Sequence, residues 1–258
     1  MNAIESLFRL DHKIAVITGG STGIGRSMAW ALGMQGAKLV IVARTRSSLE
    51  ETVSSFAKDG IDAKAVVADL GVEAERHRAI AECSAAFARS PDILVNNAAN
   101  NIRKPMPELS DEDVRVTLAL NLEAPIALVR AFAPAMAARG WGRIVNLGSQ
   151  QTHRAFNNSG VYGVAKGAIA SLTRSTAEHY TKFGVTCNTV VPGFVVTPLT
   201  EQLVAANPEF AAAHAARSMI GRNGVPDDFR GVAVFLCSNA SAYVSGATFC
   251  IDGGYGAT

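Results

Sequence analysis

Tyr162 and Lys166 stand four positions apart in the segment SGVYGVAKGAIASL. In a helix that spacing puts both side chains on one face. A phenol with a pKa of about 10 holds its proton too firmly to act as a base near neutrality, whereas an ammonium beside it favours the phenolate. Bringing the phenol to pH 7 takes roughly 3 units, about 4 kcal/mol, which a partly dry site can supply. Ser149, thirteen residues upstream, closes the run GRIVNLGS, and Asn121 lies in a helical stretch twenty-eight residues before it. Taken singly, each has a plain explanation: a helix-face tyrosine, a salt-bridging lysine, a strand-end serine, a helix asparagine. Taken with the run Asn96, Asn97, Ala98, Ala99 after another apolar stretch, they point to acid–base chemistry at one site.

The elements that must position these groups alternate. KIAVIT, KLVIVA, AKAVVAD, DILVNN, GRIVNLGS, VTCNTVV and ATFCID read as strands. Between them lie helical patterns around SMAWALGMQG and SSLEETVSSFAKDG, from Glu73 to Arg89, from Asp111 to Arg139, and from Tyr162 to Phe183. Such alternation predicts a single α/β domain over residues 1–258: a doubly wound, Rossmann-type parallel sheet of about seven strands with helices on both faces. Pro134 is expected to kink or end the helix that contains it. The Ala-rich insert from Thr197 to Arg222 breaks the rhythm at the carboxyl edge of the sheet, where such folds bind ligands. It is expected to form a small lid.

The first strand runs into TGGSTGIG, with Gly19, Gly23 and Gly25. Glycines let a backbone turn sharply and bring its N–H groups to a pyrophosphate at a helix N-terminus. The spacing differs from G-x-G-x-x-G, and a tight strand-to-helix turn also uses glycine for purely structural reasons. The second strand should end near Ala43, where an NAD-binding chain usually places an acid for the ribose hydroxyl. Arg44 and Arg46 follow instead, and guanidinium groups suit a 2′-phosphate. NADP(H) is therefore expected over NAD(H); the plain alternative is a pair of solvated loop arginines.

Charged residues make up 18% of the 258 residues and apolar ones 48%, with 24 basic against 22 acidic. That near-balance gives no reason to expect a nucleic-acid or membrane-surface partner. No apolar run approaches the ~20 residues of a membrane span. The amino end lacks a basic segment with a small-residue cleavage site, so a cytoplasmic location is expected. Cys83, Cys187, Cys237 and Cys250 are scattered without metal-ligand spacing, which fits free thiols, and no metal site is expected.

Together these motifs resemble the short-chain dehydrogenase/reductase superfamily over almost the whole chain. TGGSTGIG is similar to its glycine motif, ADL at Ala68–Leu70 to its adenine-contacting segment, and NNAA to its N-N-A-G, with Ala99 in place of glycine. Asn121, Ser149, Tyr162 and Lys166 match its catalytic tetrad. VVPGFVVTP resembles its segment beside the nicotinamide, and SGATFCIDGGY its usual carboxyl end. The resemblance implies hydride transfer between nicotinamide and a carbonyl carbon. Tyr162 would move the proton, Lys166 would lower its pKa and bind the ribose, Ser149 would hold the substrate oxygen, and Asn121 would support a proton-relay water. It implies cofactor contacts at Gly19, Ser21, Thr22, Gly23, Ile24, Gly25, Asp69, Leu70, Asn97, Ala98, Pro192, Gly193, Val195 and Thr197, besides Arg44 and Arg46.

Gln150, Gln151, His153 and Arg103 are the candidate substrate contacts, with Asn100 and Asn101 on the pocket edge. The polar set, and the likeness of IRKP to the matching loop of gluconate 5-dehydrogenase-like members, favour a sugar acid or polyol. The rival substrate is a 3-oxoacyl group on acyl carrier protein, which requires a basic docking patch that Arg103, Lys104 and Arg154 could supply. A non-catalytic nicotinamide sensor is the alternative of another class; a missing tetrad member would have marked it. The apolar and small residues of the two long helices, with the resemblance, imply a homodimer or homotetramer.

Overall fold

The computed structural model describes residues 2–257. Seven strands, β1 (Ile14–Thr18), β2 (Lys38–Ala43), β3 (Ala63–Val67), β4 (Ile93–Asn96), β5 (Gly142–Leu147), β6 (Val185–Pro192) and β7 (Thr248–Ile251), form one sheet in the order β3-β2-β1-β4-β5-β6-β7. Every adjacent pair is parallel. The order reverses between β1 and β4, which opens a crevice at their carboxyl ends.

The helices are α1 (Ala3–Phe8), α2 (Gly23–Met34), α3 (Arg46–Lys58), α4 (Glu73–Ala85), α5 (Asp111–Leu118), α6 (Ala124–Ala138), α7 (Gly160–Tyr180), α8 (Pro198–Ala206), α9 (Pro208–Arg217) and α10 (Arg230–Cys237). The sequence reading contained neither α1 nor α10. Both are short, six and eight residues. α6 runs on past Pro134 to Ala138, so the proline does not end it. The insert forms two helices, α8 and α9, separated by Asn207, whose side chain accepts the Phe210 N–H.

Alternation along β1 divides the core. Ala15 and Ile17 face a layer with Met28 and Leu32 of α2 and Ala233 and Leu236 of α10. Ile14 and Val16 face Leu128, Phe132 and Met136 of α6. All five β1 residues are buried, as a central parallel strand covered on both faces requires. The expected helical stretch is one continuous run, Asp111–Ala138. It is 28 residues long, and an 18-residue window within it has a mean hydropathy of 1.5, enough by length and composition alone to cross a membrane. The strand-length apolar runs conceal this because polar residues interrupt it. Here its apolar side chains are core: Leu128, Phe132, Ala133 and Met136 are all buried.

One buried carboxylate ties the base of the sheet together. Asp92 accepts the Ile14 N–H at 2.9 Å, two bonds from Arg89 at 2.8 and 2.7 Å, and stands 3.3 Å from Arg139. Removing it orphans a buried N–H and two guanidinium groups that are each about a third exposed. Asp92→Ala is expected to cost about 3 kcal/mol, at the low end for a broken buried pair because those guanidinium groups keep some water. A thermal melt should fall by about 10 °C; an unchanged melt would remove Asp92 from this role.

Candidate active site

The first half of the site is a cleft of about 320 Å³ at the β1/β4 switch point, walled by Gly19, Ser21, Thr22, Gly23 and Ile24. Its other walls come from Val42, Ala43, Arg44, Ala68, Leu70, Asn97, Ala98 and Thr197. Gly19 sits at φ +62°, and a Cβ there would come 2.8 Å from Asn97 Nδ2. Asn97 closes the turn by donating to the carbonyls of Thr18 and Gly19, both at 3.0 Å. Thr22 caps α2 without a side-chain bond, so the first N–H groups of the helix remain free to meet an anion. Uncapped amides, a close-approach glycine turn and a basic rim suit a dinucleotide pyrophosphate, so the cleft fits the expected cofactor.

Three expected cofactor residues, Gly25, Arg46 and Asp69, line neither this cleft nor the cavity that adjoins it. Gly25 packs inward: a Cβ there would lie 2.4 Å from both Asn97 Nδ2 and the Gly19 carbonyl, so its glycine serves helix–strand packing. Arg46 opens α3 and points to solvent, 3.9 Å from Glu50 one turn on. Only Arg44 stands on the rim, 3.8 Å from Asp69. Asp69 itself turns back to accept the Gly71 N–H at 2.9 Å, leaving Ala68 and Leu70 as the wall.

The second half is a cavity of about 170 Å³ that shares Ile24, Asn97, Ala99, Thr197 and Leu199 with the cleft. Ser149, Tyr162 and Lys166 all line it, together with Gln150, Gln151 and Arg103, and with Pro192, Gly193 and Val195 from the end of β6. Ser149 Oγ accepts the Gln151 N–H at 3.2 Å. Lys166 Nζ donates to the Leu147 carbonyl at 2.8 Å and lies 5.6 Å from the Tyr162 ring centroid, so the two side chains do share one helix face. Asn121 lines neither the cleft nor this cavity and sits on a π-helical turn, Ala119–Glu123, that joins α5 to α6. Its amide donates to the carbonyls of Thr117 at 2.9 Å and Asn100 at 3.1 Å, and its buried Oδ1 accepts nothing. A buried acceptor without a partner is costly unless water reaches it, as a relay would require.

Electrostatics correct the expected tuning. Burial raises the Tyr162 pKa above its ordinary 10.0, against a hydrogen bond from Ser149 and the charge of Arg103, which both lower it. Lys166 is not among the causes that set this balance: it is itself buried, which lowers its own pKa to about 8, and one of its three N–H groups donates to the Leu147 carbonyl. In the chain alone, desolvation of the phenolate outweighs the cation.

His153 is not part of this cavity. The 3-10 turn Gln150–Thr152 swings it to a separate pocket with Arg154, Cys250 and Asp252. In its place the cavity gains residues the sequence reading did not single out: Phe156, Phe194, Leu199, Thr200 and His214. Leu199, Thr200 and His214 belong to the two helices of the insert, so its expected position over the site was their only signal.

Residues 19–256 match the family model described as enoyl-(acyl carrier protein) reductase. A gluconate 5-dehydrogenase of Gluconobacter oxydans (strain 621H) is 36% identical over 251 residues, 96% of each chain. The chain belongs to the short-chain dehydrogenase/reductase superfamily. As a member it is an oxidoreductase, and its fold has solved counterparts. A candidate NAD(P)-dependent gluconate 5-dehydrogenase from Beutenbergia cavernae, with NADP at low occupancy, superposes with a TM-score of 0.93 at 38% identity, over 98% of this chain and 100% of that one. A gluconate 5-dehydrogenase from Burkholderia cenocepacia J2315, in complex with NADP and tartrate, gives 0.90 at 33% identity, over 99% of both chains.

Proposed function

We propose that this reductase interconverts a secondary alcohol and a ketone on a small polar substrate, a sugar acid or polyol, with NADP(H). The observation that carries the reading is the convergence of Ser149, Tyr162 and Lys166 on one cavity continuous with a phosphate-type cleft. The bound nicotinamide would supply or accept the hydride. Gly19, Ser21, Thr22 and Gly23 would hold the pyrophosphate on the amides of α2, Arg44 the 2′-phosphate, and Lys166 the nicotinamide ribose.

Burial keeps Tyr162 a phenol, which makes it a proton donor to a carbonyl oxygen held by Ser149. In the opposite direction the same oxygen must accept a proton, and the Lys166 cation lowers the cost of that charge. Asn121, with its unpartnered Oδ1, supports the water through which Tyr162 regains a proton. The occupants of related structures, NADP in both and tartrate in one, support the cofactor and the polar substrate. The acyl-carrier-protein alternative has less support: of the three basic groups it would use, Lys104 is paired with Asp113 at 2.7 Å. We infer a dimer or tetramer and a cytoplasmic setting from the resemblance alone.

Turnover is tested by following NADPH consumption against a panel of hydroxylated ketones; no oxidation with any of them would sink the reading. For the cofactor, Arg44→Asp is expected to weaken NADPH binding by about 10- to 100-fold, the worth of one charge-assisted phosphate bond, and to invert the preference. A fluorescence titration showing NADPH no tighter than NADH in the unmodified chain would contradict it.

A further inference from the structure

We propose that Thr152 is a positioning residue whose hydroxyl fixes Ser149 against the helix that carries Tyr162 and Lys166. This rests on the reading of those three as the reacting groups and names what keeps them in register. The serine and the turn Gln150–Thr152 follow β5, whereas Tyr162 and Lys166 stand on α7. The chain between them, residues 153–159, is a poor strut: His153, Ala155, Asn157 and Asn158 are all exposed. A contact across the gap has to set the separation.

That contact is a single oxygen. Thr152 Oγ1 donates to the Lys166 carbonyl at 3.0 Å and accepts the Ser149 N–H at 3.2 Å. A hydroxyl has one proton and two lone pairs, so both bonds form at once, and a carbonyl within a helix keeps a second lone pair for the first of them. The turn fastens the rest of the serine: its carbonyl accepts the Thr152 N–H at 2.8 Å and its Oγ the Gln151 N–H at 3.2 Å. Lys166 returns the tie, since its Nζ donates to the Leu147 carbonyl at 2.8 Å. The backbone leaves room for the hydroxyl because residue 148 is glycine, where a Cβ would come 2.9 Å from Thr152 Oγ1.

Thr152 lines neither the cleft nor the cavity, so it acts through Ser149 and not on a ligand. The serine is sensitive to such control. Its bond to the Tyr162 hydroxyl is one of the two influences that oppose the burial of the phenol, the other being the charge of Arg103. Groups aimed at a developing charge act through their placement, and a displacement on the order of 1 Å costs about 10²-fold in rate. Without the Thr152 hydroxyl the Ser149 N–H loses this partner, and the turn keeps its internal bonds but not its tie to α7.

The test compares Thr152→Val, which keeps the shape of the side chain without its hydroxyl, with Thr152→Ser, which keeps the hydroxyl. Thr152→Val is expected to lower kcat for NADPH-dependent reduction of the fastest ketone in the panel by about 10- to 100-fold, while NADPH affinity stays within about threefold. Thr152→Ser should stay within about threefold of the unmodified protein in both. A second readout needs no substrate. The Cζ resonance of Tyr162 in protein carrying isotope-labelled tyrosine, assigned by its loss in Tyr162→Phe, should move in Thr152→Val and stay in place in Thr152→Ser. A kcat within about threefold in Thr152→Val, an equal loss in Thr152→Ser, a fall in NADPH affinity as large as the fall in kcat, or an unmoved resonance overturns the proposal. Thermal melts check folding. Thr152→Ala replaces Thr152→Val if the latter does not fold, and failure of both to fold would make the residue purely structural and overturn the proposal as well. A moved resonance in a protein whose unmodified form turns over no ketone would instead overturn the proposed reaction and leave this tie standing.

Discussion

Replacing Tyr162 by phenylalanine should lower kcat/KM by about 10³-fold, the middle of the range for a positioned acid or base, while NADPH affinity stays within about threefold. The ring remains and fills the same volume, so the cavity wall and the α7 packing survive. What is lost is the hydroxyl that receives a hydrogen bond from Ser149 and gives up a proton to the substrate oxygen. The separation of the two readouts matters. A fall in cofactor affinity as large as the fall in turnover would mean that the ring shapes the nicotinamide site rather than moving a proton. Activity within tenfold of the unmodified enzyme would end the assignment.

Alkali should unfold this protein steeply. Three buried thiols, Cys83, Cys187 and Cys237, have pKa values pushed up to about 12 by burial, against an ordinary value of 9.0. An acid whose folded pKa is raised contributes stability that is whole below the unfolded value and drains away as pH climbs towards the folded one. The loss therefore begins near pH 9 and continues to about 12. Lys166 acts in the opposite direction. Its folded pKa of about 8 lies below the ordinary 10.5, so stability is regained between those two values. Three protons against one leave two over the pH 9 to 10.5 window, a slope of about 3 kcal/mol per pH unit. Above 10.5 the Lys166 contribution is exhausted and the slope steepens, with Tyr162 adding to it. Denaturant midpoints should rise slightly from pH 8 to 9, where only Lys166 titrates, and fall steeply from pH 9 to 10.5. Cys187→Ala should flatten the decline while lowering stability at pH 8, and a flat profile would refute the account.

The strands were legible because a central parallel strand has to be apolar throughout: β2 runs over Lys38–Ala43, the span KLVIVA announces. The meeting of Ser149 and Tyr162 was legible for a related reason, since a strand tip and the helix that follows it in a parallel sheet face one crevice. Side-chain direction was not. Arg44 and Arg46 look equivalent in sequence, yet the start of α3 turns the second to solvent. His153 follows the glutamines, but a single 3-10 turn carries it out of the cavity. His214 sits in an alanine-rich helix with no local mark, and only the folding of α9 against the cavity brings it near Tyr162. The sign of the Tyr162 shift depends on how dry the phenol is, which spacing between residues does not encode.

The π-helical turn at Ala119–Glu123 gears the two ends of the substrate cavity to one another. Deleting one residue just after it, from the regular turns of α6, would rotate what precedes the deletion by about 100°. Asp113 on α5 would swing away from Lys104, and the loop bearing Arg103 would lose its mooring just as Asn121 left its place. A single-codon deletion just beyond this turn would therefore strike proton return and substrate choice together, although neither Asp113 nor Lys104 lines the cavity.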